Sequence, residues 1–263
     1  MIATQSPPNR NRTGGDAAGA PEPLRPADCD KHTDLKAVTG STLPQYPVSI
    51  AEMRERYLRL YTGAVNDVLR FNYNMHTTSL PAHFAPLREE MKLAGLAFTV
   101  KGAPDITTDG EMETRALMLE TLHEDSIVVW DCTGDTITSQ WGEVMTMAAQ
   151  RIGCRGAVVN GIRDTMAILE QGFPVFHQYK ANTGMLGRFK MYHYQKPVLM
   201  GAVVVEPGDW IFGDIDGVIS IPKAIAYDVL IAAEAILLKE DTIREMVESG
   251  MKPTDVVRNG GYF

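Results

Sequence analysis

Nothing in the 263 residues approaches the run of ~18 consecutive apolar positions that a membrane helix needs. The chain also lacks an excess of positive charge. Its 25 Lys and Arg stand against 33 Asp and Glu, for a formal net charge of -8 and a pI near 5.3. That balance argues against nucleic acid as a partner, because a polyanion needs a broad basic face. A small anion needs only a few well-placed arginines. Cysteine is scarce. Cys29, Cys132 and Cys154 are odd in number and have no ligand spacing, so they read as reduced thiols of a cytoplasmic protein. His76, His83, His123, His177 and His193 show no HxH, HxxxH or HExxH pattern, which speaks against zinc. There is no nucleophile elbow and no glycine-rich phosphate loop. The opening MIATQSPPNRNRTGG lacks the apolar centre of a signal peptide.

Residues 1–45 are rich in Pro, Gly, Asp, Asn and Thr and poor in large apolar side chains. Such a segment buries too little surface to offset its ordering entropy and reads as a disordered or loosely attached extension. Residues 46–263 then form a single α/β domain. Ser49 with Glu52 three residues on is a capping-box pattern, and Met53, Tyr57, Leu60 and Tyr61 follow at helical spacing. Gly63 separates this helix from a second one carrying Val65, Val68 and Leu69. Strands are expected at LAGLAFTVKG, DSIVVWDC, RGAVVNG and FPVFHQY. Helices are expected at EMETRALMLETL, SQWGEVMTMAAQRIG and DTMAILEQG, with Val144, Met147 and Ala148 on one side of the second and Gly153 as its C-cap. PVLMGAVVVEPGDWIFGDIDGVISIP reads as three short β segments with tight turns between them. A long C-terminal helical region follows, with a break near Lys239–Asp241.

Two stretches carry chemistry. Trp141-Gly142-Glu143 follows a strand and a polar loop and opens a helix. A glycine there lets a ligand approach the backbone, and the free first-turn amides form an anion site aided by the helix dipole. The plainer reading is a loop-to-helix junction with Glu143 as a favourable first-turn acid. Arg163-Asp164 ends the run VVNGIRDT. Arg grips a carboxylate with two prongs, and Asp is a hard oxygen ligand suited to Mg²⁺. The plainer reading makes Asp164 a helix N-cap and Arg163 a surface ion-pair partner. Asp214 and Asp216, in GDIDG, read as turn formers, since the loop lacks the ligand pattern of an EF-hand. Lys101 and Lys180 are the lysines considered for Schiff-base chemistry, and nothing marks either as desolvated.

Together, AGLAFTVKG, SQWGEVMTMAAQRIGCRGAVVNGIRDT, GFPVF, GMLGR and KPVLMGAVVVEPGDWIFGDIDGVISIP resemble the RraA-like family over about residues 50–235. That family includes class II 4-hydroxy-4-methyl-2-oxoglutarate/4-carboxy-4-hydroxy-2-oxoadipate aldolases and regulators of RNase E activity. The resemblance implies a three-layer β/β/α swivelling-domain fold with a C-terminal helix, assembled as a homotrimer or homohexamer. It implies a metal-dependent lyase that cleaves a 4-hydroxy-2-keto acid to pyruvate and a carbonyl product, with oxaloacetate decarboxylase activity at the same site. Mg²⁺ or Mn²⁺ would be the cofactor, with Asp164 as its ligand. Substrate would meet Gly142, Glu143, the backbone of Val144 and Met145, and Arg163, while Glu143 and Arg163 would be the catalytic pair. The alternatives are a non-catalytic regulator of a ribonuclease or other protein, and an enzyme of 2-keto-3-deoxy sugar acids whose hydroxyls Tyr179, Lys180, Asn182 and Arg188 would read. Two details depart from the family pattern. Glu143 and Arg163 stand one residue closer than usual, and Ala167 replaces an acid that often follows the Arg-Asp pair.

Overall fold

The computed structural model describes residues 43–263. The expected N-terminal extension, with Cys29, therefore lies almost wholly outside the described residues. The elements run in the order α1 (Ile50–Tyr57), α2 (Thr62–Tyr73), β1 (Ala85–Pro86), β2 (Leu93–Pro104), α3 (Glu111–Thr121) and β3 (Ser126–Asp131). Next come α4 (Glu143–Ile152), β4 (Gly156–Ile162), α5 (Thr165–Gln171), β5 (Val175–Lys180) and β6 (Phe189–Tyr194). The chain then passes through β7 (Val198–Met200), β8 (Val203–Val205), β9 (Trp210–Asp214) and β10 (Gly217–Ile221) to α6 (Ala226–Glu248) and α7 (Pro253–Arg258).

The fold is the mixed α/β type expected. One sheet runs in the order β1-β5-β4-β3-β2-β9-β10, with β6 paired to the far end of β2. Strands β2 to β5 are parallel, and the outer pairs are antiparallel. Because β10 returns beside β1, the sheet is almost a closed barrel. Strand β2 can serve three neighbours because it is long: it meets β9 at Leu93–Leu96, β3 at Leu96–Lys101 and β6 at Val100–Pro104, across a bulge at Lys101/Gly102. Every residue from Leu93 to Val100 is buried, as a strand covered on both faces requires.

Three apolar clusters account for that burial. Phe98, Val128, Trp130, Val159 and Val175 pack outward under α3, α4 and α5. Ala97, Val129, Val158, Phe176 and Ile211 fill the barrel, which the β7–β8 hairpin closes with Val198, Met200, Val203 and Val205. Met53, Tyr57, Val65, Leu69 and Leu230 cover β9 and β10 through Trp210, Phe212 and Ile219. Full burial of one such side chain stabilises by about 1.5–3 kcal/mol, so the clusters outweigh any single polar contact.

Several boundaries differ from expectation. The Ser49 hydroxyl does accept from the Glu52 amide, at 3.1 Å. However, α1 and α2 part at residues 58–61, and Gly63 sits in the first turn of α2. Asp214 caps α2 from across the fold, accepting from the Thr62 amide and hydroxyl at 2.7 and 2.8 Å while its Oδ1 also receives the Asp216 amide. The expected break in the C-terminal helix is absent, since α6 runs unbroken for 23 residues. The β-rich block holds four short strands rather than three, and β1, β6 and α7 had no expected counterpart. Helix α4 ends at Gly153, left-handed at φ 94°, as expected. Its buried residues, though, are Thr146 and Ala149, while Val144 and Met147 face outward. Cys132 and Cys154 are free and buried. Among the described residues, no helix is long and apolar enough to cross a membrane.

Candidate functional site

The site forms where β3 and β4 end. The loop between β3 and α4 turns back and runs beside the last residues of β4. The Gln140 amide donates to the Gly161 carbonyl at 2.9 Å, and the Arg163 amide donates to the Trp141 carbonyl at 3.0 Å. Gly161 permits this approach, because a Cβ there would lie 2.1 Å from the Thr138 carbonyl oxygen. That explains the glycine of the Asn-Gly step without any special dihedral.

A buried carboxylate holds the loop in shape. Asp135 accepts from the Thr138 hydroxyl at 2.5 Å and the Thr138 amide at 3.2 Å, and also from the Gln140 side-chain amide. Gln140 in turn accepts from the Gly161 amide at 2.8 Å. The Tyr179 hydroxyl lies 3.1 Å from Asp135 and 3.0 Å from the Thr138 carbonyl. Burial, and then the Asp135 charge, push the Tyr179 phenol up, so it stays protonated and donates. A buried carboxylate tolerates desolvation only when several donors converge on it, as they do here.

This loop delivers Trp141 and Gly142 to the start of α4. The Trp141 indole stacks on Phe173 at 6.1 Å between centroids and donates to the Thr146 hydroxyl at 2.8 Å. Gly142 occupies the N-cap position with extended backbone and no capping side chain. Among the described residues, the amides of Glu143, Val144 and Met145 donate to nothing. They are the exposed positive end of the α4 dipole.

Arg163 and Asp164 meet that end. The Arg163 Nε lies 3.3 and 3.4 Å from the two Asp164 carboxylate oxygens. A Cβ on Gly142 would come 2.8 Å from Asp164 Oδ2, so the carboxylate occupies the space that the glycine leaves. A Cβ on Gly184 would likewise come 2.9 Å from an Arg163 guanidinium nitrogen. The loop carrying Gly184 is tied to the first loop, where the Ser139 amide and hydroxyl donate to the Thr183 carbonyl at 2.8 and 2.9 Å.

Asp164 stands at the N-cap position of α5, yet its side chain caps nothing and its backbone is left-handed, φ 55°. For a residue with a Cβ that conformation carries strain. Ordinary capping therefore does not account for an aspartate at this position. The pair borders an open cleft of about 410 Å³ lined by Ile162–Thr165 and by Lys180, Ala181 and Asn182. Both charged groups reach solvent, with 46% of the Arg163 side chain and 39% of the Asp164 side chain exposed.

The structure thus brings Gly142, Arg163 and Asp164 together. The side chains of Glu143, Val144 and Met145 are not in the cleft wall: Val144 faces solvent, and Met145 packs against the outer core. Lys180 and Asn182 face the cleft, while Lys101 lies elsewhere, paired with Asp131 at 2.6 Å. Asp135, Gln140 and Gly184 escaped the reading of the sequence, because a polar loop residue looks the same whether it is solvated or buried as a hub. Among the described residues, no three His, Cys, Asp or Glu gather as a metal cluster.

The RraA-like profile, described as Aldolase/RraA, matches residues 62–220, more than half the chain. The chain belongs to the RraA-like family. That family includes both class II aldolases and RNase regulators. A protein of Halalkalibacterium halodurans named "Putative 4-hydroxy-4-methyl-2-oxoglutarate aldolase" is 32% identical over 58% of this chain and 70% of its own length. Protein DlpA of Legionella pneumophila is 31% identical over 63% of this chain, which spans only 27% of that relative's length. Among solved structures, one described as novel cellulases from gut-associated microbes is 45% identical with a TM-score of 0.73, covering 77% of this chain and 90% of that one. Streptomyces coelicolor RraAS2, described as an unusual member of the RNase ES inhibitor RraA family, has a TM-score of 0.66 at 22% identity. It covers 76% of this chain and 99% of its own. At that identity the likeness bears on the RraA-like fold alone.

Proposed function

We propose that this RraA-like chain is a divalent-metal-dependent class II aldolase that cleaves a 4-hydroxy-2-keto acid to pyruvate and a carbonyl product. The observation that carries the reading is the Arg163–Asp164 pair, held in a strained backbone against Gly142 and beside three unpaired amides.

The donor set fits a hard cation. Asp164 offers an oxygen ligand free of capping duty, at a solvent-reached position where water completes the shell, as Mg²⁺ or Mn²⁺ prefers. Such an ion, when bound, acts as a Lewis acid toward the substrate's carboxylate and keto oxygens. The other contributions come from the chain. The guanidinium of Arg163 makes charge-assisted bonds to the substrate carboxylate and to the oxygen that gains charge. The amides of Val144 and Met145 receive the same anion at the helix end. Cleavage needs the 4-hydroxyl proton removed, the C3–C4 bond broken and its electron pair delocalised as an enolate, which is then protonated at C3 to give pyruvate. Glu143, at the start of α4 with its side chain outside the cleft wall, would take and return the proton only through intervening water. Oxaloacetate losing CO₂ reaches the same enolate, so decarboxylation belongs to the same site.

Lys180 and Asn182 at the cleft wall favour a substrate bearing further polar groups, and 2-keto-3-deoxy sugar acids are the second substrate class to test. Val144, Met147 and Met166 are 74, 55 and 68% exposed on α4 and α5 beside the site. A second copy of the chain in a homotrimer or homohexamer would cover them and wall the cleft. A regulator of a ribonuclease would use the same face. The deciding experiment is pyruvate release from a panel of 4-hydroxy-2-keto acids and oxaloacetate, with and without EDTA. Turnover that EDTA abolishes supports the enzyme. No turnover, together with capture of a ribonuclease, supports the regulator.

A further inference from the structure

A second cavity, about 470 Å³, opens at the same end of the parallel strands but on the inner face of the sheet. It shares no lining residue with the Arg163 cleft. Each of the four parallel strands sends one polar side chain into it. Lys101 of β2 pairs directly with Asp131 of β3. Extending the Val129–Val158 pairing by two residues sets Asp131 beside Asn160 of β4, and the pairings on either side set Asn160 beside Gln178 of β5. The four form a cross-strand row one step above the apolar filling of the barrel, where Val129, Val158 and Phe176 lie.

The row is internally paired but not saturated. The Lys101 ammonium donates to Asp131 and to the Thr133 hydroxyl, both at 2.6 Å, leaving one of its three donors unused. Gln178 donates to the Asn160 side-chain oxygen at 3.0 Å, and Asn160 donates to the Asp135 carbonyl at 3.3 Å. Each amide keeps a further N–H, and among the described residues the Gln178 oxygen accepts nothing. Phe84, which is buried, and Leu199, which is exposed, add apolar wall to the cavity, and the exposed His83 lines it beside them. Leu199 belongs to the hairpin that closes the barrel, and its amide lies 3.4 Å from Asp131.

The chemistry of the floor selects a class of ligand. Lys101 and Asp131 cancel each other's charge, so no net charge is left to hold an ion. What remains is a line of alternating donors and acceptors flanked by the apolar Phe84 and Leu199 and by the His83 ring. Hydroxyl groups match it, because each both donates and accepts. The volume is that of a small-molecule site. We infer that the row Lys101–Asp131–Asn160–Gln178 floors a second binding site for a small, neutral, polyhydroxylated molecule of monosaccharide size. This site does not depend on the activity proposed for the Arg163 cleft.

Saturation-transfer NMR on the full chain tests it, with D-glucose and D-xylose as probes and acetate as the anionic comparator. Transfer to either sugar is expected. Asn160→Ala with Gln178→Ala should weaken it about tenfold, the effect of losing one or two hydrogen bonds. Leu199→Trp should weaken it as well. It fills the mouth from an exposed position and leaves the row intact, so it serves even if the double variant misfolds. Arg163→Ala should leave the sugar signal unchanged. Transfer to neither sugar, or to acetate alone, overturns the inference. A sugar signal that survives Leu199→Trp, or that disappears in Arg163→Ala, overturns it too.

Discussion

At the scale of single residues, the site depends on missing side chains as much as on present ones. Gly142 is left empty so that the Asp164 carboxylate can lie against the start of α4. Gly142→Ala puts a methyl 2.8 Å from that oxygen. The exposed carboxylate can swing away, so the expected stability loss is small, below about 1.5 kcal/mol, while metal-dependent turnover falls by about 10²-fold through misplacement. Thermal unfolding and a pyruvate assay on the same variant check both halves. Asp135 behaves oppositely. Asp135→Ala leaves the Thr138 amide and hydroxyl without their acceptor and takes one of two acceptors from Gln140 and Tyr179, and should destabilise by about 2–4 kcal/mol in urea unfolding. A third residue reports through pH. His177 is buried, and burial, followed by nearby Lys180, holds its pKa below the ordinary 6.5. The unfolded chain therefore binds a proton at pH values where the folded chain does not. The stability contribution is complete above about 6.5 and is lost as pH falls through the folded value, at up to about 1.4 kcal/mol per pH unit. Urea midpoints measured between pH 5 and 7.5 should show that slope flattened in His177→Gln, and an equal slope in both proteins would contradict it.

At the scale of elements, the sequence was legible wherever a local rule decides. The Ser49 cap, the Gly153 cap and the fully buried β3 all follow from short-range chemistry. The position of Arg163 and Asp164 directly after β4 was legible as well, because the run VVNGI reads as a strand ending there. What could not be read was long-range. Strand β6 pairs with β2 across about 90 residues of chain, and Asp214 caps a helix some 150 residues earlier in the chain. Which way that side of α4 faces could not be read for a different reason. Val144 and Met147 carry a helical apolar pattern, and that periodicity is the same whether the face turns to the core or outward.

At the scale of the whole molecule, that outward apolar face belongs to the account of the site. The cleft is open on one side, and α4 and α5, which pack together, both present apolar residues beside it. Val144→Asp with Met147→Asp should break the proposed self-association while leaving the monomer folded, because both side chains are exposed. Sedimentation velocity would show a trimer or hexamer for the parent and a monomer for the variant. Identical sedimentation of the two would remove the self-association reading and leave the face to another protein. The central claim concerns the pair at residues 163 and 164, and the most direct measurement is pyruvate release by the parent chain, Arg163→Ala and Asp164→Ala, each with Mg²⁺ and with EDTA. The account predicts EDTA-sensitive release by the parent and a fall of about 10²–10³-fold or more in both variants. Metal-dependent release at the parent rate from either variant would contradict it.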